Sequence, residues 1–244
     1  MDSLMISAAG GIRARLESLD LLANNLANAS TTGYKADREA YSLYASEESK
    51  AADDSPAPLP LIQSRWSDLR QGVLVTTDNP LDLALVGPGN FVVDGPNGPL
   101  YTRNGSFRLQ KDGRLTTADG YELSTVEPRR IRANPLRSIE IATDGAVRQD
   151  GQVLGHLQIA GAVGPEALEK RAGAYFSLSS PTPVPAGPAT EVRQGMLEAS
   201  NTNPAESAIR LISVLRQFES LQRAVQLGSE MNKHAVEEVA RPGS

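Results

Sequence analysis

The 244-residue sequence contains no cysteine. That absence rules out a disulfide framework, a thiolate zinc site and a cysteine nucleophile, and it suits a protein that works in an oxidising compartment. Histidine is nearly as scarce, with His156 and His234 alone. Neither stands at metal-ligand spacing from a second ligand in a known motif, and His234 with Glu238 is an ordinary i, i+4 helix pair. Aromatic residues make up 5% of the chain. Lys and Arg number 24 against 29 Asp and Glu, a net charge of −5. This argues against a nucleic-acid surface, because phosphate binding needs clustered cations. No stretch approaches the roughly 20 apolar residues that span a bilayer, so no membrane insertion is expected. The first helical stretch carries Arg13, Arg15, Glu17 and Asp20 with no basic segment before it, so export is expected to use a route without a cleaved signal peptide. No serine lies in a G-x-S-x-G elbow, and Gly87-Pro88-Gly89 lacks the Gly-Lys-Ser/Thr ending of a phosphate loop. No catalytic residue, metal site or cofactor site is therefore expected.

What the chain does contain is a helix at each end. Ile12, Leu16, Leu19, Ala23 and Leu26 repeat at steps of four and three, the spacing of a seam that packs on a partner helix. A helix from residue 4 to 28 would be roughly 37 Å long. Gly10-Gly11 weakens it, or marks a kink or a close helix contact, and Gly33 is a plausible stop. Asn24, Asn25 and Asn28 place three carboxamides near that end, each able to donate and accept; they serve either neighbouring subunits or simple capping. Towards the other terminus, Leu211, Val214, Phe218, Leu221 and Val225 form a second seam, broadened by Ile212 and Leu215. Asn203-Pro204 marks its entry, and Glu206 favours the dipole of the first turn.

Between the helices the period changes to two. Leu81, Leu83 and Leu85 alternate with Asp82 and Ala84, and on that alternation Asp82 is expected to face solvent. Turn dipeptides follow at short intervals: Asn97-Gly98, Asn104-Gly105, Asp112-Gly113, Asp119-Gly120, Asp144-Gly145 and Asp150-Gly151. Such pairs supply the positive φ values of tight hairpins. Each carries a single carboxylate, so hairpin chemistry explains them better than calcium loops do. The charged, proline-rich stretch 45–60 reads as an exposed linker, and residues 181–188 (PTPVPAGP) as a stiff connector. The expected fold is α+β: a discontinuous, coiled-coil-like helical domain from both termini plus a central antiparallel, hairpin-rich β domain. Its expected divisions are residues 1–35, a linker at 36–68, the β domain at 69–190, and the return segment with the second helix at 191–244.

These segments resemble the axial family of bacterial flagellar rod and hook proteins. ANNLANASTTGYK (Ala23 to Lys35) is similar to the family's N-terminal rod signature. NPLDLAL (Asn79 to Leu85), GNFVV (Gly89 to Val93) and YTRNGSF (Tyr101 to Phe107) resemble its β-domain motifs. GMLEASNTNPAE (Gly195 to Glu206) and RQFE (Arg216 to Glu219) resemble its C-terminal signature. Within the family the likeness is strongest to the proximal-rod member, then to the distal rod protein. Thr202 stands where the family usually has a branched aliphatic residue, and Pro204 follows in the same turn, which leaves the helix start open. The resemblance implies a structural, non-enzymatic subunit of the flagellar basal-body rod in the periplasm. Its implied partners are other rod proteins and copies of itself in a helical assembly, and the type III export apparatus in transit. The implied assembly interface comprises the two seams with Asn24, Asn25, Asn28 and Gly33. Periodicity alone also permits a soluble binding module whose end helices close on its own β domain.

Overall fold

The computed structural model describes residues 3–44, 59–161, 168–178, 187 and 189–239. Over these residues the chain is α+β, with two helices and many antiparallel strands. Helix α1 (Ser3–Ala27) runs unbroken through Gly10-Gly11. Gly11 is a contact residue: a Cβ there would lie 3.3 Å from a methyl of Leu221. The helix ends at Ala27, short of Gly33. There the Asn28 carbonyl accepts the Thr31 N–H (3.0 Å) and its side-chain oxygen accepts the Thr31 hydroxyl (3.1 Å), giving the chain a turn in place of another helical bond.

The strands follow in order as β1 (Asp37–Tyr44), β2 (Leu59–Ser67), β3 (Leu74–Thr76), β4 (Leu83–Val86), β5 (Asn90–Gly95) and β6 (Gly98–Thr102). Short strands come next: β7 (Arg108–Leu109), β8 (Leu115–Thr116), β9 (Glu122–Leu123) and β10 (Glu140–Ile141). The rest are β11 (Ala146–Gln149), β12 (Gln152–His156), β13 (Ile159–Ala160), β14 (Leu168–Lys170), β15 (Tyr175–Leu178), β16 (Glu191–Gln194) and β17 (Met196–Glu198). Helix α2 (Pro204–Val239) closes the described chain. Asn203 is its N-cap, its side-chain oxygen accepting the N–H groups of Ala205 (3.1 Å) and Glu206 (3.3 Å). Pro204 occupies the first turn, where it forfeits no helical hydrogen bond.

The chain divides into two compact units. One comprises Met1–Ala27, Asp37–Trp66 and Asn203–Ser244. In it α1 packs on α2, and β1 pairs with β2. Two bridges fasten α1 to β1: Ser18 donates its hydroxyl to Glu39 (2.6 Å), and the Asn25 carboxamide both donates to and accepts from the backbone of Asp37 (2.8 and 2.9 Å). The expected linker at 45–60 lies outside the described residues except for Leu59 and Pro60, which open β2.

The other unit comprises Asn28–Ala36 and Ser67–Thr202. Its largest sheet runs β14-β15-β6-β5-β9-β8-β7, with β13 also paired to β5. Sheet β10-β11-β12 and the pairs β16-β4 and β17-β3 complete it. Phe91 and Val93 of β5 enter the main core with Leu83, Leu85, Phe107, Val147 and Val192, while Val92 enters a second cluster with Tyr101, Leu168 and Phe176. β5 is thus buried on both faces along Phe91-Val92-Val93, which is why those three residues are all apolar instead of alternating. The same burial corrects the expectation for Asp82. It is buried, held in an isolated bridge to Ser106 on one side while its carbonyl accepts the Gly195 N–H on the other. Among the expected turns, Asp150-Gly151 joins β11 to β12 with both residues at positive φ (51° and 77°), the signature of a type I′ hairpin. Asn104-Gly105 differs: Gly105 has no positive φ, and a Cβ there would stand 1.6 Å from the Leu83 carbonyl oxygen. Apart from Gly187, the connector at 181–188 includes residues outside those described (181–186 and 188).

Candidate functional site

Three of the sequence motifs meet in one buried ionic clasp. Gly33-Tyr34-Lys35 comes from the first, Arg103 from the strand motif and Glu198 to Asn201 from the last. β17 carries Glu198 inward, where its carboxylate is fully buried and accepts from Lys35 Nζ (2.5 Å), Arg103 Nη1 (3.1 Å) and the Gly72 N–H (2.8 Å). Its backbone carbonyl accepts the Gly33 N–H (2.7 Å). Lys35 also donates to the Arg70 carbonyl (2.7 Å), and Arg103 to the carbonyls of Leu85 (3.2 Å) and Gly87 (2.6 Å). Asn201 stitches the rim, donating to the carbonyls of Asp68 (2.7 Å) and Arg70 (3.0 Å) and accepting the Ala36 N–H (2.8 Å). Lys170 covers Tyr34 at 3.9 Å from the ring centroid and donates to the Lys35 carbonyl (2.8 Å). Gly33 has a φ of +68°, and a Cβ there would meet the Asn104 nitrogen at 2.2 Å, so no other residue fits.

Burial pushes the Lys35 ammonium and the Arg103 guanidinium below their ordinary pKa values, and Glu198 opposes both shifts. Buried ions survive only when paired and hydrogen-bonded, and here each ion is occupied by the others and by backbone. The clasp is therefore structural. His156 is likewise engaged: its ring Nδ1 lies 2.6 Å from Glu127 Oε1 and its backbone N–H donates to Oε2 (2.9 Å).

The expected interface residues fall into three groups. On α2, Leu211, Val214, Phe218, Leu221 and Val225 are partly covered, as are Ala208 and Gly228, and Ser207 is buried; the other positions described for burial are exposed. On α1 the covered face is Gly11, Ala14, Ser18, Leu21, Leu22 and Asn25. This set is rotated about 100° or more from the expected seam. Ile12, Leu19 and Leu26 are half-buried, and Leu16, Ala23 and Asn24 are exposed. The third group points inward. Asn25 is buried and its carboxamide bonds within the chain to the backbone of Asp37. Asn28 holds the turn at Thr31, and Gly33 is enclosed in the clasp. Arg103, Glu198, Asn201 and Lys170 were not singled out from sequence; the first three lie inside the quoted motifs, and the motifs' separation along the chain was the available signal.

Comparison with known proteins agrees with the motifs. Residues 5–35 match the flagella basal body rod protein family, residues 84–154 the flagellar hook protein FlgE/F/G D1 domain, and residues 193–237 the flagellar basal body rod FlgEFG protein C-terminal family. The chain is 31% identical to the flagellar basal-body rod protein FlgF of Caulobacter vibrioides, over 91% of this chain and 92% of that protein. It is 30% identical to the flagellar basal-body rod protein FlgG of Agrobacterium fabrum, over 92% and 94% respectively. The FlgG of Bacillus subtilis is 27% identical over 95% of this chain. The chain belongs to the flagellar basal-body rod protein family. It is a structural component of the flagellar basal body and not an enzyme. Among the described residues, no helix is long and apolar enough to cross a membrane.

Proposed function

We propose that the chain is a rod subunit of the proximal type, joined to other rod proteins and to itself through its terminal helices, with the β unit as a rigid body. The observation that carries this reading is the second apolar stripe of α1. Ile12, Leu16, Leu19, Ala23 and Leu26 keep heptad spacing although the folded chain uses a different face of the helix. A stripe of that spacing, with Leu16 and Ala23 exposed and Ile12, Leu19 and Leu26 only half-covered, suits coiled-coil-like packing against a neighbour's helix. Torque then passes through many distributed contacts, with Asn24 at the edge of the stripe and the covered α2 seam holding the helix pair together.

The proximal assignment is supported by alignment length. The Caulobacter FlgF alignment extends over 235 residues and the Agrobacterium FlgG alignment over 259, for nearly the same share of this chain. The distal relatives therefore require more gaps. Export through the type III apparatus fits a chain whose end helices order fully only on assembly, when packing offsets the ordering entropy.

In-frame deletion of the gene in its host, followed by isolation of basal bodies, tests the reading. The expected result is truncated rods without a distal segment and loss of swimming, restored by the full chain but not by one lacking residues 1–30. Intact rods in the deletion strain would instead favour a soluble module that has left the filament.

A further inference from the structure

We propose that the ionic clasp is a latch that closes last, after the strands of the β unit have formed, and that its bonds set how slowly this unit opens and not how fast it folds. The strand pairs β5-β6, β7-β8, β11-β12 and β14-β15 each join segments that follow one another in the chain. The clasp joins segments that are far apart. Glu198 lies 163 residues from Lys35, 126 from Gly72 and 95 from Arg103, and Asn201 lies 165 from Ala36 and 133 from Asp68. Closing a loop costs entropy that grows with its length, so contacts of this separation follow the hairpins.

Burial makes the clasp all-or-none. The side chains of Lys35, Glu198 and Arg103 are 2%, 0% and 6% exposed. An ion that leaves water before its partner arrives is penalised, so half a clasp is worse than none. The pairing gains strength only when water is shut out, which places it on the native side of the folding barrier. Interactions absent from the transition state slow unfolding and leave the folding rate alone. The clasp also draws on each stretch by which the chain enters or leaves the β unit, residues 28–36, 67–72 and 198–202. The β unit of a chain held part-way through a channel therefore stays open whichever end leads, and locks once both ends are free. This last consequence alone rests on the rod reading and its export route.

The test is the folding and unfolding kinetics of the purified full chain in urea, followed by near-ultraviolet circular dichroism of the buried Tyr34, Tyr101 and Tyr175, all in the β unit. Lys35→Met and Asn201→Ala are each expected to speed unfolding about tenfold and to change refolding by less than about twofold. Asn201→Ala keeps every ion and removes the rim bonds alone, so it decides the matter if the charge variant fails to fold. Gly151→Ala is the contrast. It strains the β11-β12 turn, where φ is +77° and an added Cβ meets nothing within 4 Å, and is expected to slow refolding and leave unfolding nearly unchanged. If Lys35→Met or Asn201→Ala slows refolding as much as it speeds unfolding, the clasp forms before the barrier and the proposal is overturned. Unfolding of both variants at the wild-type rate would overturn it as well. So would a Gly151→Ala chain whose refolding is unimpaired, because the hairpins would then not precede the clasp. The measurement is made on the purified chain, so its outcome does not depend on whether the chain builds rods.

Discussion

Glu198 holds two cations and a backbone N–H from inside the protein, and its replacement leaves Lys35 and Arg103 buried without a counter-charge. Stranding a buried ion costs about 3–5 kcal/mol, a large part of the roughly 5–15 kcal/mol that stabilises a domain. Glu198→Ala is therefore expected to unfold the β unit at far lower urea. Lys35→Met should be milder, because Arg103 and Gly72 still hold the carboxylate; equal losses of urea midpoint would contradict this account of the clasp. Thr202 is the opposite case. Its hydroxyl is buried and finds no partner among the described residues. Thr202→Val removes that unsatisfied group at nearly constant shape and is expected to add ~1 kcal/mol of stability. Glu127 supplies a pH dependence. The backbone N–H and ring of His156 hold its carboxyl down at about 2, from an ordinary 4.5. A depressed carboxylate contributes stability above its unfolded pKa and loses it as pH falls towards the folded one. The contribution should fade between about pH 4.5 and 2, and Glu127→Gln should flatten the urea midpoint over that window. Glu198 was illegible as a site because its cation Lys35 lies 163 residues away. A lone Glu between Leu197 and Ala199 carries no local sign of burial.

Among the elements, the seam read on α2 is partly covered within the chain, whereas the face of α1 covered within the chain is a different one from the seam read on it. The seam of α2 is made of Leu, Val and Phe, so hydrophobic spacing alone reveals it. The covered face of α1 instead contains Gly11, Ser18 and Asn25, chosen for a close approach to Leu221 and for bonds to β1. With Ala14, Leu21 and Leu22 as its only apolar side chains among the described residues, that face gives a weaker periodic signal than the set one position along. Asn25→Ala is accordingly expected to lower the stability of the helical unit by about 2 kcal/mol through the loss of two hydrogen bonds, seen as an earlier loss of helical circular dichroism on heating. An unchanged melting curve with failed rod assembly would return Asn25 to the interface. Asn203→Ala should remove the cap of α2 and cost about 1 kcal/mol in the same measurement. Asp82 was read as solvent-facing from alternation alone, whereas an isolated bridge to Ser106 and a bond from Gly195 bury it just before β4.

At the scale of the whole molecule, turn residues, helix termini and the absence of cysteine made the α+β plan readable from sequence. What local patterns could not supply was which distant segments close on each other. Closure occurs at the clasp, where Gly33 bonds to Glu198, Lys35 pairs with Glu198 and Ala36 bonds to Asn201. Once the packing of α1 on α2 gives way, a pull applied along the chain reaches residues 28–36 and 198–202, and these are fastened directly to each other. The many strands between residues 67 and 197 bear no tension until that fastening parts. In a rotating shaft the clasp thus behaves as a mechanical fuse. In single-molecule stretching the β unit should yield in one large step set by the Glu198 pairing, and Glu198→Ala should lower the force of that step without changing the length of chain released.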